Sequence, residues 1–147
     1  MIYLLRHGEA EPRNGEDDAG RRLTPKGERQ STAAGRALAA LGASIDACLT
    51  SPKVRAADTA RLACEALGIE PEIAEELGGG SFDSLSLAAG RGEVMLVGHN
   101  PDFPNEIARL TGAKAKIRKG GVAIVEDGTL LALLRPEELE AIAGAQR

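Results

Sequence analysis

Short apolar runs bounded by turn residues alternate along this chain with stretches whose small and aliphatic residues fall at helical spacing. The first run, Ile2 to Leu5, ends on Arg6-His7-Gly8 and gives way to a polar, Gly-containing stretch over 8–23. A short apolar run bounded in this way predicts a buried strand over 2–6, and the stretch after it a loop. Further strands are predicted at 45–49, near 71–75 and at 93–98. Two more, 122–126 and 129–134, flank Asp127-Gly128, a strong hairpin signal.

Helices fall between these strands. Thr24-Pro25 predicts an N-cap with proline at the first helical position, a buried stripe of Ala34, Ala37, Leu38 and Leu41, and a stop at Gly42. Ser51-Pro52 repeats that start for a helix whose stripe is Ala57, Ala60, Cys64 and Leu67, ending at Gly68. Gly78-Gly79-Gly80 predicts a flexible turn, with a brief helix over 82–89, another over 102–110 and a last one after Pro136. Strands alternating with helices predict an α/β three-layer sandwich with a mostly parallel central sheet and a C-terminal antiparallel hairpin. One domain, 1–147, without a cap subdomain, is expected; a chain of this size buries roughly 70% of its unfolded surface.

Composition narrows the function. With no Trp, one Tyr, two Phe and a net charge of −4, the chain lacks the stacking platforms and basic balance of a nucleic-acid binder. No apolar run approaches the ~20 residues of a membrane span, and no signal peptide is legible, so a cytoplasmic protein without membrane contact is expected. Cys48 and Cys64 read as small buried hydrophobes rather than a disulfide. Two His and two Cys cannot build a zinc site of standard spacing, so neither metal nor cofactor is expected.

Ligands of open α/β sheets bind beyond the carboxyl ends of the strands. The predicted topology sends Arg6, His7, Arg55 and His99 to that edge from three strands, with Gly8 and Gly98 beside the histidines. Helix N-termini after Ser51 and near Asp102 add positive dipole ends. Two guanidiniums, two imidazoles and two helix ends suit a tetrahedral dianion, with phosphate the natural candidate. Neutral imidazole is a nucleophile at phosphorus without a helper base, and fixed arginines neutralise the charge that a metal would otherwise meet.

Four blocks then carry a resemblance. Leu5-Arg6-His7-Gly8-Glu9-Ala10, Arg21-Arg22-Leu23-Thr24-Pro25-Lys26-Gly27, Thr50-Ser51-Pro52-Lys53-Val54-Arg55-Ala56-Ala57-Asp58-Thr59-Ala60 and Val97-Gly98-His99-Asn100-Pro101 resemble, in this order, the histidine phosphatase (phosphoglycerate-mutase-like) superfamily. The small size and the R-x-L-T-x-x-G block are most similar to its SixA-type phosphohistidine phosphatase branch. The resemblance implies that His7 is a nucleophile forming a phosphohistidine intermediate, and that Arg6, Arg55 and His99 bind the transferred phosphoryl group. It implies that Arg21 lines the pocket, although Arg22 stands where proline is common. Gly8, Asn100 and Ser51 shape the loops around it.

Many relatives protonate their leaving group with a carboxylate on the segment after the third strand. Glu76 and Asp83 are the candidates, although each reads more readily as a solvated carboxylate near a turn. A missing acid is tolerable where the leaving group is an imidazole protonated on its other nitrogen. The expected activity is therefore a metal-independent phosphatase acting on phosphohistidine in proteins. The alternatives are a phosphomonoesterase on a small phosphorylated metabolite or nucleotide, and a phosphate- or phosphoprotein-binding module without catalysis. The partner is a phosphorylated protein or small substrate, and a monomer is expected. Lys114, Lys116, Arg118 and Lys119 alternate along the chain; they read as a solvated face, or alternatively as a docking patch for an acidic protein. Glu16-Asp17-Asp18 reads as a mobile loop near the pocket mouth, and Glu137 to Arg147 as an amphipathic surface helix with a frayed end.

Overall fold

Successive side chains of a strand point to opposite faces, so each apolar run must be covered on both sides. The computed structural model, which describes residues 1–13 and 17–145, shows how this is met. The strands are β1 (Ile2–Arg6), β2 (Ala47–Thr50), β3 (Pro71–Ile73), β4 (Val94–Gly98), β5 (Val122–Glu126) and β6 (Thr129–Leu134). They form one sheet in the order β3-β2-β4-β1-β5-β6. Pairings among β1 to β4 are parallel, and β5 pairs antiparallel with both β1 and β6. This is the predicted sandwich with its C-terminal hairpin, turned by Asp127 at φ 48° and Gly128 at φ 74°.

The helices are α1 (Pro25–Ala40), α2 (Val54–Leu67), α3 (Ser84–Ala88), α4 (Asp102–Thr111) and α5 (Pro136–Gly144). Tyr3, Leu5, Cys48, Met95, Val97 and Val122 face α1, α2 and α5. Ile2, Leu4, Leu49, Val94, Leu96 and Ala123 face the other way, onto Phe103 and Ile107 of α4 and onto Ala115 and Ile117 of an extended segment. Each Leu or Ile buried in these layers stabilises the fold by about 1.5–3 kcal/mol. Cys48 and Cys64 are both free and buried.

Several boundaries depart from expectation. Leu41 is the C-cap of α1 and is 54% exposed, because the helix stops one residue before it. Ser51-Pro52 does not start α2: the helix begins at Val54, and the Ser51 hydroxyl instead accepts from Lys53 N at 3.1 Å. The buried face of α2 is accordingly Arg55, Ala56, Thr59, Ala60, Ala63 and Cys64, rotated away from Ala57. Two polar residues, Arg55 and Thr59, have been drawn inward toward the sheet edge. At the chain's end Leu139 of α5 is fully buried, so this helix packs on α1 through an apolar anchor; Gln146 and Arg147 lie outside the described residues.

Two glycines lock the β1–α1 region. A Cβ on Gly8 would stand 2.6 Å from the carbonyl oxygen of Gly27, and one on Gly27 would strike the carbonyl oxygen of Glu9. The Arg-His-Gly turn and the first turn of α1 thus interlock backbone to backbone. Gly27→Ala is expected to destabilise the fold by roughly 3 kcal/mol, since backbone cannot yield as a side chain can; urea unfolding measures it.

Candidate active site

Strand register decides which side chains meet. Arg6 pairs with Gly98 across β1 and β4, and Thr50 with Val97 across β2 and β4. Arg6, Gly98 and Ser51 therefore share one row at the carboxyl edge, and His7 and His99 the next. His7 N closes the row by donating to Gly98 O at 3.1 Å. The two imidazole rings lie 5.3 Å apart, centroid to centroid, inclined at 54°. Both are 5% exposed.

Nδ1 of His7 is 2.7 Å from its neighbour's carbonyl, Gly8 O. An acceptor on Nδ1 requires the proton there, which leaves the Nε2 lone pair free. Burial holds the His7 pKa down at about 4, with Arg55, Arg6 and Lys119 adding to the effect against the Gly8 hydrogen bond. Burial, then His7, Arg55 and Lys53, push His99 down to about 3. Both rings are neutral near pH 7. Nε2 of His99 is 2.8 Å from Ser51 Oγ.

The guanidiniums are fixed from behind. Arg6 Nη1 donates to Ile117 O at 3.0 Å, and Asn100 Nδ2 donates to the same oxygen at 3.1 Å. Arg55, at the start of α2, donates through Nη1 to Asp18 O at 2.9 Å and through Nη2 to Asp18 Oδ2 at 3.3 Å. Buried polar atoms are normally paired, because an orphan costs about 1–3 kcal/mol. Here Arg6 Nε, Arg55 Nε and His99 Nδ1 are buried without a protein partner among the described residues. These two guanidinium nitrogens and one imidazole nitrogen fit an oxyanion, while Asn100 Oδ1, also buried and unpartnered among the described residues, is an acceptor beside them.

The sequence candidates separate into two sets. His7, His99, Arg6 and Arg55 come together with Gly8, Ser51 and Asn100 as neighbours. Arg21 joins indirectly, donating to Glu11 O at 2.8 Å and to Asp18 Oδ1 at 3.2 Å. Glu76 and Asp83 stay apart. Glu76 is exposed on a single 3-10 turn, Glu75–Gly78, and Asp83 caps α3 by accepting from Ser86 N while pairing with Arg109. Among the described residues neither bonds to the histidine cluster.

Sequence reasoning missed two supports. Thr59 Oγ1 accepts from Gly8 N at 3.0 Å and donates to Arg55 O at 2.7 Å, tying the histidine turn to α2. Its position four residues after Arg55, on the same helix face, was the available signal. Asp18 is the other, and it corrects the expectation of a mobile loop; Glu16 lies outside the described residues. Its carboxylate holds Arg21 and Arg55, with Lys53 Nζ at 3.7 Å, and Val54 N donates to Ala19 O at 2.9 Å. The Arg21 hydrogen bond, then Arg55 and Lys53, keep its pKa down at about 2, so it is a fixed anion and not a proton donor near neutrality. Asp18→Asn is expected to lower kcat/KM about tenfold through KM, because three cations lose their common anchor. The variant should fold normally, since the carboxylate is partly solvated; steady-state kinetics with a urea melt check both.

Residues 2–99 match the model of the histidine phosphatase superfamily (branch 1), and the chain belongs to that family. It is a phosphatase. It is 32% identical over 140 residues to an uncharacterized protein of Picosynechococcus sp., covering 86% of this chain and 85% of that one. A SixA protein from Agrobacterium tumefaciens is 26% identical with a TM-score of 0.81, covering 92% of this chain and 97% of that one. The protein histidine phosphatase SixA in complex with tungstate is 22% identical with a TM-score of 0.80, covering 94% and 98%. The same fold recurs in the alpha-ribazole phosphatase of Shigella flexneri, 19% identical with a TM-score of 0.71, covering 91% and 95%.

Proposed function

We infer that this phosphatase removes the phosphoryl group from phosphohistidine in proteins, through a phosphorylated His7 and without a metal. The observation that carries the reading is the pairing of a neutral His7, its Nδ1 proton held by Gly8 O, with no carboxylic acid bonded to the histidine cluster among the described residues. Nε2 of His7 attacks phosphorus as the P–N bond of the substrate breaks. A phosphohistidine protonated on its second nitrogen departs as neutral imidazole and needs no acid. Its bonding matches that of phospho-His7, so the transfer exchanges one phosphoimidazole for another. Water then attacks phospho-His7, Nε2 leaves with its electron pair, and inorganic phosphate carries away the water oxygen.

Arg6, Arg55 and the unpaired His99 Nδ1 stabilise the three equatorial oxygens, where a loose phosphoryl-transfer transition state concentrates charge. Between α2 and β4 the chain carries only β3, the 3-10 turn and α3, which supports access by a protein surface. The test is phosphate release from a histidine-phosphorylated protein in the presence of EDTA. Turnover at the untreated rate is expected; loss of turnover that added metal restores overturns the reading.

The likeness to an alpha-ribazole phosphatase supports a second reading, a phosphomonoesterase on a small metabolite. It requires an acid, so Glu76→Gln or Asp83→Asn must then depress turnover of alkyl phosphates far more than of aryl phosphates. Under the first reading both variants keep wild-type rates on phosphohistidine.

A further inference from the structure

The segment 114–119 alternates in burial from Lys114 to Arg118, and Lys119 is exposed next to Arg118. Ala115 and Ile117 enter the core beneath the sheet, which turns Lys114, Lys116, Arg118 and Lys119 outward. In a chain of net charge −4 these four cations are a local excess. None of them has a carboxylate within ion-pair distance among the described residues, whereas Arg21, Lys53, Arg55, Arg91, Arg109 and Arg135 all do. An exposed cation gains little from an ion pair, so it is the clustering of these four on one segment that sets them apart.

Their position is fixed by the site itself. Ile117 O receives both Arg6 and Asn100, and Gly120 N donates to Arg6 O at 3.1 Å and His7 O at 2.9 Å. The segment is bolted to the histidine turn and cannot swing away. Between it, the start of α1 and the start of α5 lies a cleft of about 350 Å³ whose walls include Arg6, Lys26, Asn100, Lys116, Arg118 and Lys119. Glu9 and Glu137 are its only carboxylates among the described residues, and Glu9 is paired with Lys26 at 3.8 Å. Arg6 belongs to both this cleft and the phosphoryl pocket, so one substrate can occupy the two together.

The geometry points to this cleft as a second anion subsite that receives acidic side chains flanking the phosphohistidine of the substrate protein. The assignment rests on the phosphohistidine reading for its substrate, but the cleft has chemistry of its own. Carboxylates entering it meet Lys116, Arg118 and Lys119, and like-charged or neutral surfaces gain nothing there. Such complementarity sets partner choice and association rate, and it weakens with salt.

Two phosphohistidine peptides of equal length, one flanked by Glu and one by Gln, test the proposal against the intact protein. Wild type is expected to turn over the Glu peptide with about tenfold higher kcat/KM at low salt, and the gap should close at 0.5 M salt. In Lys116→Glu/Arg118→Glu the preference should vanish or invert, with turnover of p-nitrophenyl phosphate unchanged. The unphosphorylated Glu peptide, added as an inhibitor of p-nitrophenyl phosphate turnover, reads the cleft without any phosphohistidine chemistry. Inhibition by the Glu but not the Gln peptide, lost in the double variant, supports the subsite even if neither phosphopeptide is hydrolysed, an outcome that removes the phosphohistidine reading alone. Hydrolysis of both peptides at equal rates, with no inhibition by either unphosphorylated form, overturns the subsite and leaves that reading intact.

Discussion

His7→Ala is expected to lower kcat by about ten-thousandfold or more and to leave no phosphorylated protein after an alkaline quench. The effect is large because the substitution removes the bond-forming atom and not merely a contact to charge. Arg6, Arg55 and His99 persist in the variant, so binding of inorganic phosphate should survive within a few-fold. That contrast separates chemistry from assembly. Labelled wild type, quenched in alkali during turnover, should retain phosphate on His7, as a phosphoimidazole resists alkali and yields to acid on standing. A variant that keeps even a hundredth of wild-type turnover would show that another group attacks phosphorus. Free imidazole should restore part of the lost rate, because the side chain's removal leaves space between Gly8 O and the His99 ring.

Much of this site was legible before the fold was known, for reasons that differ between residues. Arg6, His7 and His99 end apolar runs whose strand character is unambiguous, and parallel pairing brings such ends to one edge. The hairpin was equally plain, as only a few residue pairs tolerate the backbone that Asp127-Gly128 adopts. Arg55 was placed correctly although the start of its helix was not. The reason is that Ser51 has two uses, accepting from Lys53 N and bonding His99, and a cap-like serine before proline does not reveal which it serves.

Asp18 was illegible for a different reason. In an acidic, Gly-containing loop a structural carboxylate looks like a solvated one; what distinguishes it is the arrival of Arg55 from 37 residues away. The basic segment shows the converse. Its alternation was visible, but only the burial of Ala115 and Ile117 and the bonds to Ile117 O tie that alternation to the edge that carries the two histidines. Glu76 and Asp83 were candidates because of where they fall in the chain. Their surroundings give Asp83 another task, and leave Glu76 in solvent.

Acidification is expected to cost this fold about 4 kcal/mol between pH 8 and pH 5 through its two histidines alone. An unfolded histidine titrates near 6.5, whereas folded His7 and His99 take up a proton only near 4 and 3. Between those limits the unfolded chain binds protons that the folded chain refuses, so stability is full above pH 6.5 and falls as the pH drops below it. At pH 5 each ring contributes a loss of about 2 kcal/mol by this linkage. Urea unfolding at pH 8 and pH 5 measures the slope, and His99→Gln should halve it because one neutral ring no longer differs between the two states. Saturating inorganic phosphate should flatten the wild-type slope as well, since an anion between the rings favours their protonated forms and offsets the burial that opposes them. Equal slopes for wild type and His99→Gln would mean that His99 does not resist protonation in the folded protein, and that the two imidazoles are not both neutral near pH 7.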